Sequence, residues 1–242
     1  MSIYIKILKT VSLMVFFLLL HSCKKMEVVS PLPSVEYFPL EAGYYLIYNV
    51  DSTWYDDFNL DTTHRSYQMK EYYDTLFTTS EGKLAMRIER SWRNTPSDAW
   101  SAPRAYWAYI ENSYVVKVIE NIPYVTLQFP LKLSTTWNRN RLGWLNEESF
   151  KYKKLFYDTL IGVIAYDSVI TTQSREAYES IIDKYDFREV YGKNIGLLYQ
   201  ELIDIDSVYR DKVGSDTNNL PIMDKIKKGL VYKATLVERG FE

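Results

Sequence analysis

The chain has 242 residues, of which 47% are hydrophobic and 25% charged, with a formal net charge of −2 and one cysteine. A mildly acidic chain without a basic block is a poor binder of nucleic acid, because that affinity comes mostly from neutralising phosphates. A single cysteine excludes an intrachain disulfide and a multi-cysteine metal site, and no motif indicates a metal or a cofactor.

The first 22 residues have the order of a secretory signal. Lys6 and Lys9 give a positively charged start, residues 11–20 are apolar, and the small Ser22 stands just before Cys23. The apolar run is too short for the hydrocarbon core of a bilayer, which takes about 20 residues to cross. We therefore predict a signal peptide over residues 1–22, whose removal takes the formal charge from −2 to −4.

Leu20, His21, Ser22 and Cys23 resemble the lipobox of bacterial lipoproteins, although His21 stands where that family usually has Ala, Ser or Thr. The resemblance implies that the Cys23 thiol, a good nucleophile once ionised, receives acyl chains of the palmitate type. Two or three such chains anchor a protein to a membrane almost permanently. Lys24 in place of Asp implies the outer membrane and leaves open which side the protein faces. The alternative role for Cys23 is a buried free thiol.

Residues 23–37 are the predicted lipidated cysteine and flexible tether, in which Pro31 and Pro33 discourage regular structure. Residues 38–242 are enough for one sizeable domain or two small ones. We predict a single β-rich domain there.

Strand patterns dominate this domain. Leu84, Met86 and Ile88 alternate with polar residues in the segment 83–92, a period of two that indicates a strand with one wet face. Similar runs occur at residues 44–52, 67–78, 105–110, 114–120, 124–129, 150–159, 163–171, 195–205 and 230–237. About ten short strands predict a mainly β fold, an antiparallel barrel or sandwich with at most one or two short helices.

One segment has helical spacing. Ser174 is placed to cap a helix that would put Tyr178, Ile181, Ile182 and Tyr185 on one stripe.

Two short motifs occur twice in the same order. Residues 38–40 and 129–131 are both Phe-Pro-Leu, and residues 70–76 and 154–160 share five identities in seven positions. Either the domain is a duplicated β-meander with a site between its halves, or similar strands reuse similar residues. Both interpretations stay open.

The segments 37–48, 189–201 and 228–236 resemble a family of uncharacterised Bacteroidota lipoproteins that begin with a Phe-Pro-Leu-x-x-Gly element. Gly192 stands where that family has alanine. These motifs consist of core and turn residues, so the resemblance implies a fold and an envelope location without an activity.

Candidate catalytic and metal sites are sparse. His64, the single histidine after residue 22, lies in a polar stretch that we interpret as a solvated loop. Residues 57–61 match the start of a calcium loop, but Thr62 and Gln68 replace its essential glycine and glutamate. The acidic neighbours at residues 56–57, 147–148 and 204–206 admit a carboxylate-pair hydrolase, but adjacent strand residues point to opposite faces.

Four aromatic residues surround a polar loop with two prolines: Trp92, Trp100, Tyr106 and Trp107. Rings beside Arg, Asn and Asp are typical of a carbohydrate-binding face, whereas the alternative is that they close the mouth of a barrel as core and rim.

The sequence thus predicts a lipid-anchored outer-membrane protein of the cell envelope, and it favours a non-catalytic binding or structural module over an enzyme. The alternatives are a glycosidase-like hydrolase that uses carboxylates and a carbohydrate-binding lipoprotein. The expected partners are the membrane, through the lipid on Cys23, and a glycan or another envelope protein.

Overall fold

The structure is a computed structural model that describes residues 35–59, 61–180, 182–206, 221–224 and 226–242. The predicted signal peptide, Cys23 and most of the predicted tether lie outside the described residues. The described part contains thirteen strands and no α-helix. It therefore holds no helix of the length and apolar character needed to span a membrane.

The strands run from β1 to β13 in chain order, with a 3-10 helix at Val35–Tyr37 before them and another at Ile222–Asp224 before the last. Their bounds are β1 Tyr44–Asp56, β2 Asp61–Thr78, β3 Leu84–Arg93, β4 Arg104–Glu111, β5 Tyr114–Ile119, β6 Ile122–Gln128, β7 Thr136–Asn138, β8 Ser149–Ile161, β9 Ile164–Ser174, β10 Tyr178–Glu179, β11 Asp183–Gly192, β12 Gly196–Asp206 and β13 Lys228–Phe241.

The sheet is an antiparallel meander that almost closes on itself. From β1 to β6, each strand pairs with the next one in the chain. The strands β7, β8, β9, β11 and β12 also pair in chain order, while the short β10 pairs only with β11. The last strand, β13, pairs with both β12 and β1. At the seam between β6 and β7, the Val125 amide donates to the Arg139 carbonyl oxygen at 2.8 Å. Trp137 Nε1 donates to the Val125 carbonyl oxygen at 2.9 Å. The described residues thus form a nearly closed barrel.

Alternation along the strands creates the core. Leu46, Tyr48 and Val50 of β1 are buried and point into the barrel, and the residues between them lie on its outer surface. The 3-10 helix at Val35–Tyr37 covers one end of the barrel, where Tyr37 is only 1% exposed. This helix falls within the predicted tether, but its last residue, Tyr37, belongs to the packed core.

The predicted strands and the observed ones agree for ten of the thirteen. The prediction of a mainly antiparallel β fold is confirmed, with a nearly closed barrel and 12–13 strands in place of about ten. The strands that the sequence did not reveal are β7, β10 and β11. The first two have only three and two residues, too few to show a period.

The helix predicted from Ser174 is wrong. The segment instead contains the end of β9, the short β10 and the start of β11. The backbone of β11 pairs with β12 on one side and with β9 on the other, which satisfies its hydrogen-bonding groups without a helix. A helix would bury Tyr178 and Ile182, but Tyr178 is 50% exposed and Ile182 is 57% exposed.

The hairpin of β8 and β9 extends beyond the sheet. β9 pairs with β11 only over residues 169–173, whereas β8 and β9 stay paired to Ile161 and Ile164 beside their turn. The outer half of this hairpin therefore has no further strand beside it.

This hairpin bends back over the wall of the barrel. Phe156 in β8 and Ser168 in β9 have positive φ angles of 53° and 51° and lie at the same level of the hairpin. Residues of this kind open the ladder and change the direction of the strand. Thr235 of β13 lies between two buried residues and faces outward. Gly162, at the turn of the hairpin, lines the same cleft as Thr235, so the turn lies over the outer wall.

We predict that Gly229→Ala destabilises the barrel at the start of β13. Gly229 has φ of +121°, and a Cβ atom there would lie 2.0 Å from the carbonyl oxygen of Asp204 in β12. We expect the free energy of unfolding in urea to fall by roughly 3 kcal/mol, the upper part of the usual range for one substitution.

Gly82→Ala is the matched control, because Gly82 has φ of +79° with no atom within 4 Å of the added Cβ. It should cost only about 1–2 kcal/mol of backbone strain. Equal losses for the two variants would contradict the predicted clash.

Candidate functional site

A sizeable cleft lies between the bent hairpin and the outer wall of the barrel. Its volume is about 720 Å³, which is within the ~300–1,000 Å³ typical of small-molecule sites. One side consists of β8 and the turn that follows it, and the other consists of outward residues of β11, β12 and β13. The bend at Phe156 and Ser168 is what brings these two sides together.

Three cations line this cleft: Lys153 and Lys154 of β8, and Arg188 of β11. Lys154 Nζ lies 3.9 Å from the centre of the Tyr157 ring, in cation–π contact. Among the ion pairs of the described residues, neither lysine has a carboxylate partner. Their charges are thus available to a ligand.

Arg188 is held by a carboxylate outside the cleft lining. Its guanidinium forms an ion pair with Glu201 of β12, which is 5% exposed and also lies 3.4 Å from Lys233 Nζ. Burial lowers the pKa of Arg188, but the charge of Glu201, the Tyr199 phenol and the hydrogen bonds to both together outweigh burial, so the net pKa is raised. The buried Nε of Arg188 has no hydrogen-bond partner among the described residues. The arginine is thus fixed and charged, with one unsatisfied donor.

Tyrosine rings and threonine hydroxyls complete the lining. The Tyr157 and Thr171 hydroxyls lie 2.5 Å apart, which links β8 to β9 inside the cleft. Burial, with Glu201 nearby, raises the pKa of Tyr199 to about 12, so this phenol is neutral at physiological pH. Thr159 and Thr235 add further hydroxyls. The cleft therefore combines positive charge, ring faces and neutral hydrogen-bonding groups.

A second polar cluster lies inside the barrel, around Glu71 of β2. Lys117 Nζ donates to both carboxylate oxygens of Glu71 at 2.7 and 2.8 Å, and Arg90 Nε donates to Oε1 at 3.0 Å. Burial raises the pKa of Glu71, but the charges of Lys117 and Arg90 outweigh it and lower that pKa to about 2. Glu71 is therefore ionised and fully engaged.

Glu189 of β11 forms a similar cluster beside it. Arg139 Nη1 donates to Glu189 Oε2 at 3.1 Å, the Tyr191 hydroxyl donates to the same oxygen at 2.9 Å, and Gln200 Nε2 donates to Oε1 at 3.0 Å. The Arg139 guanidinium also lies 4.5 Å from the centre of the Phe187 ring. The two clusters border one small cavity.

The structure separates the four aromatic residues predicted to bind a glycan. Tyr106 points into the barrel under Arg90, whereas its neighbour Trp107 is half-buried and stacks on Tyr109 with ring centres 5.6 Å apart. Trp92 lies near the end of β3 and Trp100 in the loop between β3 and β4, and both rings are half-buried.

Arginines cover the rings of Trp92 and Trp100. The Arg93 guanidinium lies 4.2 Å from the centre of the Trp100 ring, and the Arg104 guanidinium lies 5.3 Å from the centre of the Trp92 ring. The binding role of the four aromatic residues stays a prediction. It concerns Trp92 and Trp100 most directly, because Trp92 lies near the end of β3 and Trp100 in the loop that follows.

The interpretation of His64 as a loop residue is wrong, because it lies in β2, exposed and 3.0 Å from the Thr53 hydroxyl. In the calcium-like segment, Asp56 accepts a hydrogen bond from the Phe58 amide at 2.9 Å and so closes the turn after β1. Among the described residues, no three His, Cys, Asp or Glu side chains are grouped so that they could hold a metal ion.

One of the paired acids, Glu148, has a raised pKa. Burial is the main cause, and the Tyr185 hydroxyl donates a hydrogen bond to this carboxyl at 2.5 Å. Asp204 is exposed on β12.

No sequence pattern identifies the cleft residues as a site. Lys153, Lys154 and Tyr157 lie in or beside the second copy of the repeated motif, and that position was the one signal available. Arg188 and Tyr199 come from strands whose outward faces carry no distinctive pattern, and the bend of the hairpin brings them into the same cleft.

We predict that Glu71 governs part of the acid sensitivity of the fold. Because the folded-state pKa is about 2, below the ordinary 4.5, the contribution of Glu71 is complete above about pH 4.5 and is lost as the pH falls towards 2. The shift corresponds to an order of ~3 kcal/mol. Urea unfolding between pH 6 and 2 should show this loss in the wild type and a much flatter profile in Glu71→Gln.

Glu120→Gln is the control, because Glu120 pairs with Arg104 at the surface, where both side chains are about 70% exposed. Its pH profile should follow that of the wild type. A Glu71→Gln profile as steep as that of the wild type would contradict the assignment.

Two crystal structures are similar in fold to this chain. One is a Bacteroides fragilis protein provisionally described as exported and as having a YmcC-like fold, with 7% identity, a TM-score of 0.44, and coverage of 84% of this chain and 98% of that one. The other is a Parabacteroides distasonis protein provisionally described as a lipoprotein, with 13% identity, a TM-score of 0.41, and the same coverage. No protein-family model and no curated protein matches the chain.

Proposed function

We propose that this chain is an exported, lipid-anchored protein of the outer membrane that binds an acidic saccharide without transforming it. The binding site is the cleft between the β8–β9 hairpin and the outer wall. The observation that carries the proposal is the pair of lysines, Lys153 and Lys154, that line this cleft without a carboxylate partner.

The chemistry of the lining favours a sugar acid over a lipid. A fatty acid needs a continuous apolar channel, whereas this lining intersperses Thr159, Thr171 and Thr235 with its apolar residues. Tyrosine rings suit the apolar face of a sugar, hydroxyl groups suit its hydroxyls, and lysines suit its carboxylate or sulfate.

Glu71 and Glu189 support the non-catalytic assignment, whereas Glu148, whose pKa burial raises, is the carboxyl group that a hydrolase would use as its acid. A glycosidase needs one carboxyl group protonated near neutral pH, with a raised pKa, opposite an ionised partner. Glu71 has the opposite character, with a pKa of about 2, and Glu189 is paired with Arg139. Both carboxylates serve the packing of the interior.

Anchoring through Cys23 rests on the sequence. The charged start, the apolar run and the lone cysteine follow the order of a lipoprotein signal. A lipid at residue 23 would attach the chain twelve residues before the first described residue, Val35.

We predict that Cys23→Ser abolishes acylation and membrane attachment. The wild-type protein, expressed in a bacterium with lipoprotein processing, should partition into the detergent phase and show the added mass of acyl chains by intact-mass spectrometry. The variant should be aqueous and lack that mass, because serine is a poor nucleophile for the acyl transfer. A variant that still partitions with the membrane would rule out the anchor.

We predict that Lys154→Gln weakens binding of an acidic saccharide. With a galacturonate trisaccharide as the probe, isothermal titration should show a loss of about tenfold, since a charge-assisted hydrogen bond contributes roughly 1.5–3 kcal/mol. Wild-type affinity should also fall as salt rises, because the lysines are exposed to solvent.

Lys132→Gln is the matched control, because Lys132 is exposed and does not line the cleft. It should keep wild-type affinity, and a neutral galactose trisaccharide should bind weakly to all three proteins. Binding of the acidic probe that is unchanged in Lys154→Gln would exclude the cleft as its site.

A further inference from the structure

The cleft beside the bent hairpin continues into a second cleft on the same outer wall. The second cleft has a volume of about 670 Å³ and lies over β1, β2 and β13. The two clefts share Gly162, at the turn of the hairpin, and Thr235 of β13. At its far side, the second cleft is bordered by Asn94 and Pro96 of the loop between β3 and β4. The two clefts therefore form one continuous groove from β8 to this loop.

The strand register lines the groove with a row of outward side chains, because residues directly opposite each other in neighbouring strands lie on the same face of a sheet. The row begins inside the first cleft, where Tyr199 of β12 lies opposite Thr235. Thr235 in turn lies opposite Asn49 of β1. Gln68 of β2 lies opposite Asn49 on one side and Arg93 of β3 on the other. Neighbouring strands are about 4.8 Å apart, so the row from β12 to β3 is about 19 Å long.

The far part of this row is polar and held in place by its own hydrogen bonds. Gln68 Nε2 donates to Asn49 Oδ1 at 2.9 Å, and Arg93 Nε donates to Gln68 Oε1 at 2.8 Å. These contacts leave the amide nitrogen of Asn49 and the terminal nitrogens of Arg93 without a hydrogen-bond acceptor among the described residues. Donors of this kind suit the hydroxyl and carboxylate oxygens of a saccharide.

Arg93 supplies a positive charge at the far end of the groove. Its guanidinium lies 4.2 Å from the centre of the ring of Trp100, one of the aromatic residues that the sequence predicts to bind a glycan. In the described part of the chain, Arg93 forms no ion pair with a carboxylate. In this respect it matches Lys153 and Lys154 at the other end of the groove.

The charged groups between the two ends are engaged with one another. Lys233 Nζ lies 3.4 Å from the carboxylate of Glu201. Asp51, which is opposite Lys233 in the register, lies 3.4 Å from His64 Nδ1. The groove is thus cationic at its two ends and close to neutral in the middle.

We propose that the groove binds an extended acidic polysaccharide chain, which crosses the strands from Lys154 to Arg93. This inference rests on the proposed function and lengthens its site. Acidic units of the chain contact the two cationic ends, and the hydroxyls of the units between them contact the neutral row. A chain is favoured over one small ligand, because each cleft alone already has the ~300–1,000 Å³ of a small-molecule site.

The test compares a galacturonate trisaccharide, which is short enough for the first cleft alone, with a galacturonate octasaccharide, which is long enough for both. Isothermal titration of the full-length protein in a non-ionic detergent should give a higher affinity for the octasaccharide. Part of this gain is statistical, because a long chain offers several overlapping registers to one cleft. Variants of the second cleft therefore decide between the two explanations.

Arg93→Gln should lower the affinity for the octasaccharide about tenfold, the effect of losing one charge-assisted hydrogen bond, and leave the affinity for the trisaccharide unchanged. Arg87→Gln is the matched control, because Arg87 is an exposed arginine on the same face of β3 that lines neither cleft. It should bind both oligomers as the wild-type protein does.

Ser66→Trp tests the second cleft by filling it. Ser66 is exposed in β2 and lines the second cleft but not the first, and tryptophan is well accommodated in strands. The added ring should remove most of the octasaccharide's advantage. The affinity for the trisaccharide should stay at the wild-type value, which also shows that the variant is folded.

An octasaccharide affinity that is unchanged in both Arg93→Gln and Ser66→Trp would overturn the extended groove and leave the acidic-saccharide site in the first cleft standing. A wild-type protein that binds neither oligomer would overturn both proposals.

Discussion

The barrel depends on the pairing of its last strand with its first. β13 runs antiparallel to β1 from Phe241 opposite Tyr44 to Gly229 opposite Tyr55, and on its other side it pairs with β12. Without β13, both β1 and β12 would be open edges with unpaired backbone groups. Closure at this position separates an inner face from an outer wall, so every site in the molecule follows from it.

The circumference that closure sets also explains the charged interior. About eight strands make a barrel just wide enough for side chains to fill, and the diameter grows with the number of strands. The wider ring here needs long side chains, and Arg90, Lys117 and Arg139 extend from β3, β5 and the residue after β7 to occupy the inside. Their charged ends require partners in a medium of low dielectric constant, which Glu71 and Glu189 provide.

The sequence predicts the barrel better than it predicts the sites. Alternation such as that of Leu84, Met86 and Ile88 is a local property, so ten strands could be located from single segments. In contrast, β11 has a polar sequence whose strand state depends on its neighbours β9 and β12.

Long-range geometry limits prediction of the sites in the same way. Lys117 and Glu71 are 46 residues apart in the chain, and only the closed sheet brings them into contact. The outer cleft depends on two bends, at Phe156 and Ser168, in residue types that do not usually adopt a positive φ. Neither contact nor bend is encoded in a short motif.

The structure places the two copies of each repeated motif at equivalent points. The first Phe-Pro-Leu precedes β1 and the second precedes β7, while the longer repeat lies in β2 and again in β8. Both copies of the longer repeat also interrupt the strand register near their Asp-Thr pair. Similar strands that arose independently would have no reason to share position and irregularity, so this arrangement favours duplication of a meander.

The two copies of the longer repeat have different surroundings. In the first, Tyr73 is buried inside the barrel, and in the second, the corresponding Tyr157 faces the outer cleft. The difference arises at Phe156, where the second copy leaves the barrel wall. On this interpretation the binding cleft is the part of the second half that no longer repeats the first, because its hairpin was freed from the sheet and folded back onto it.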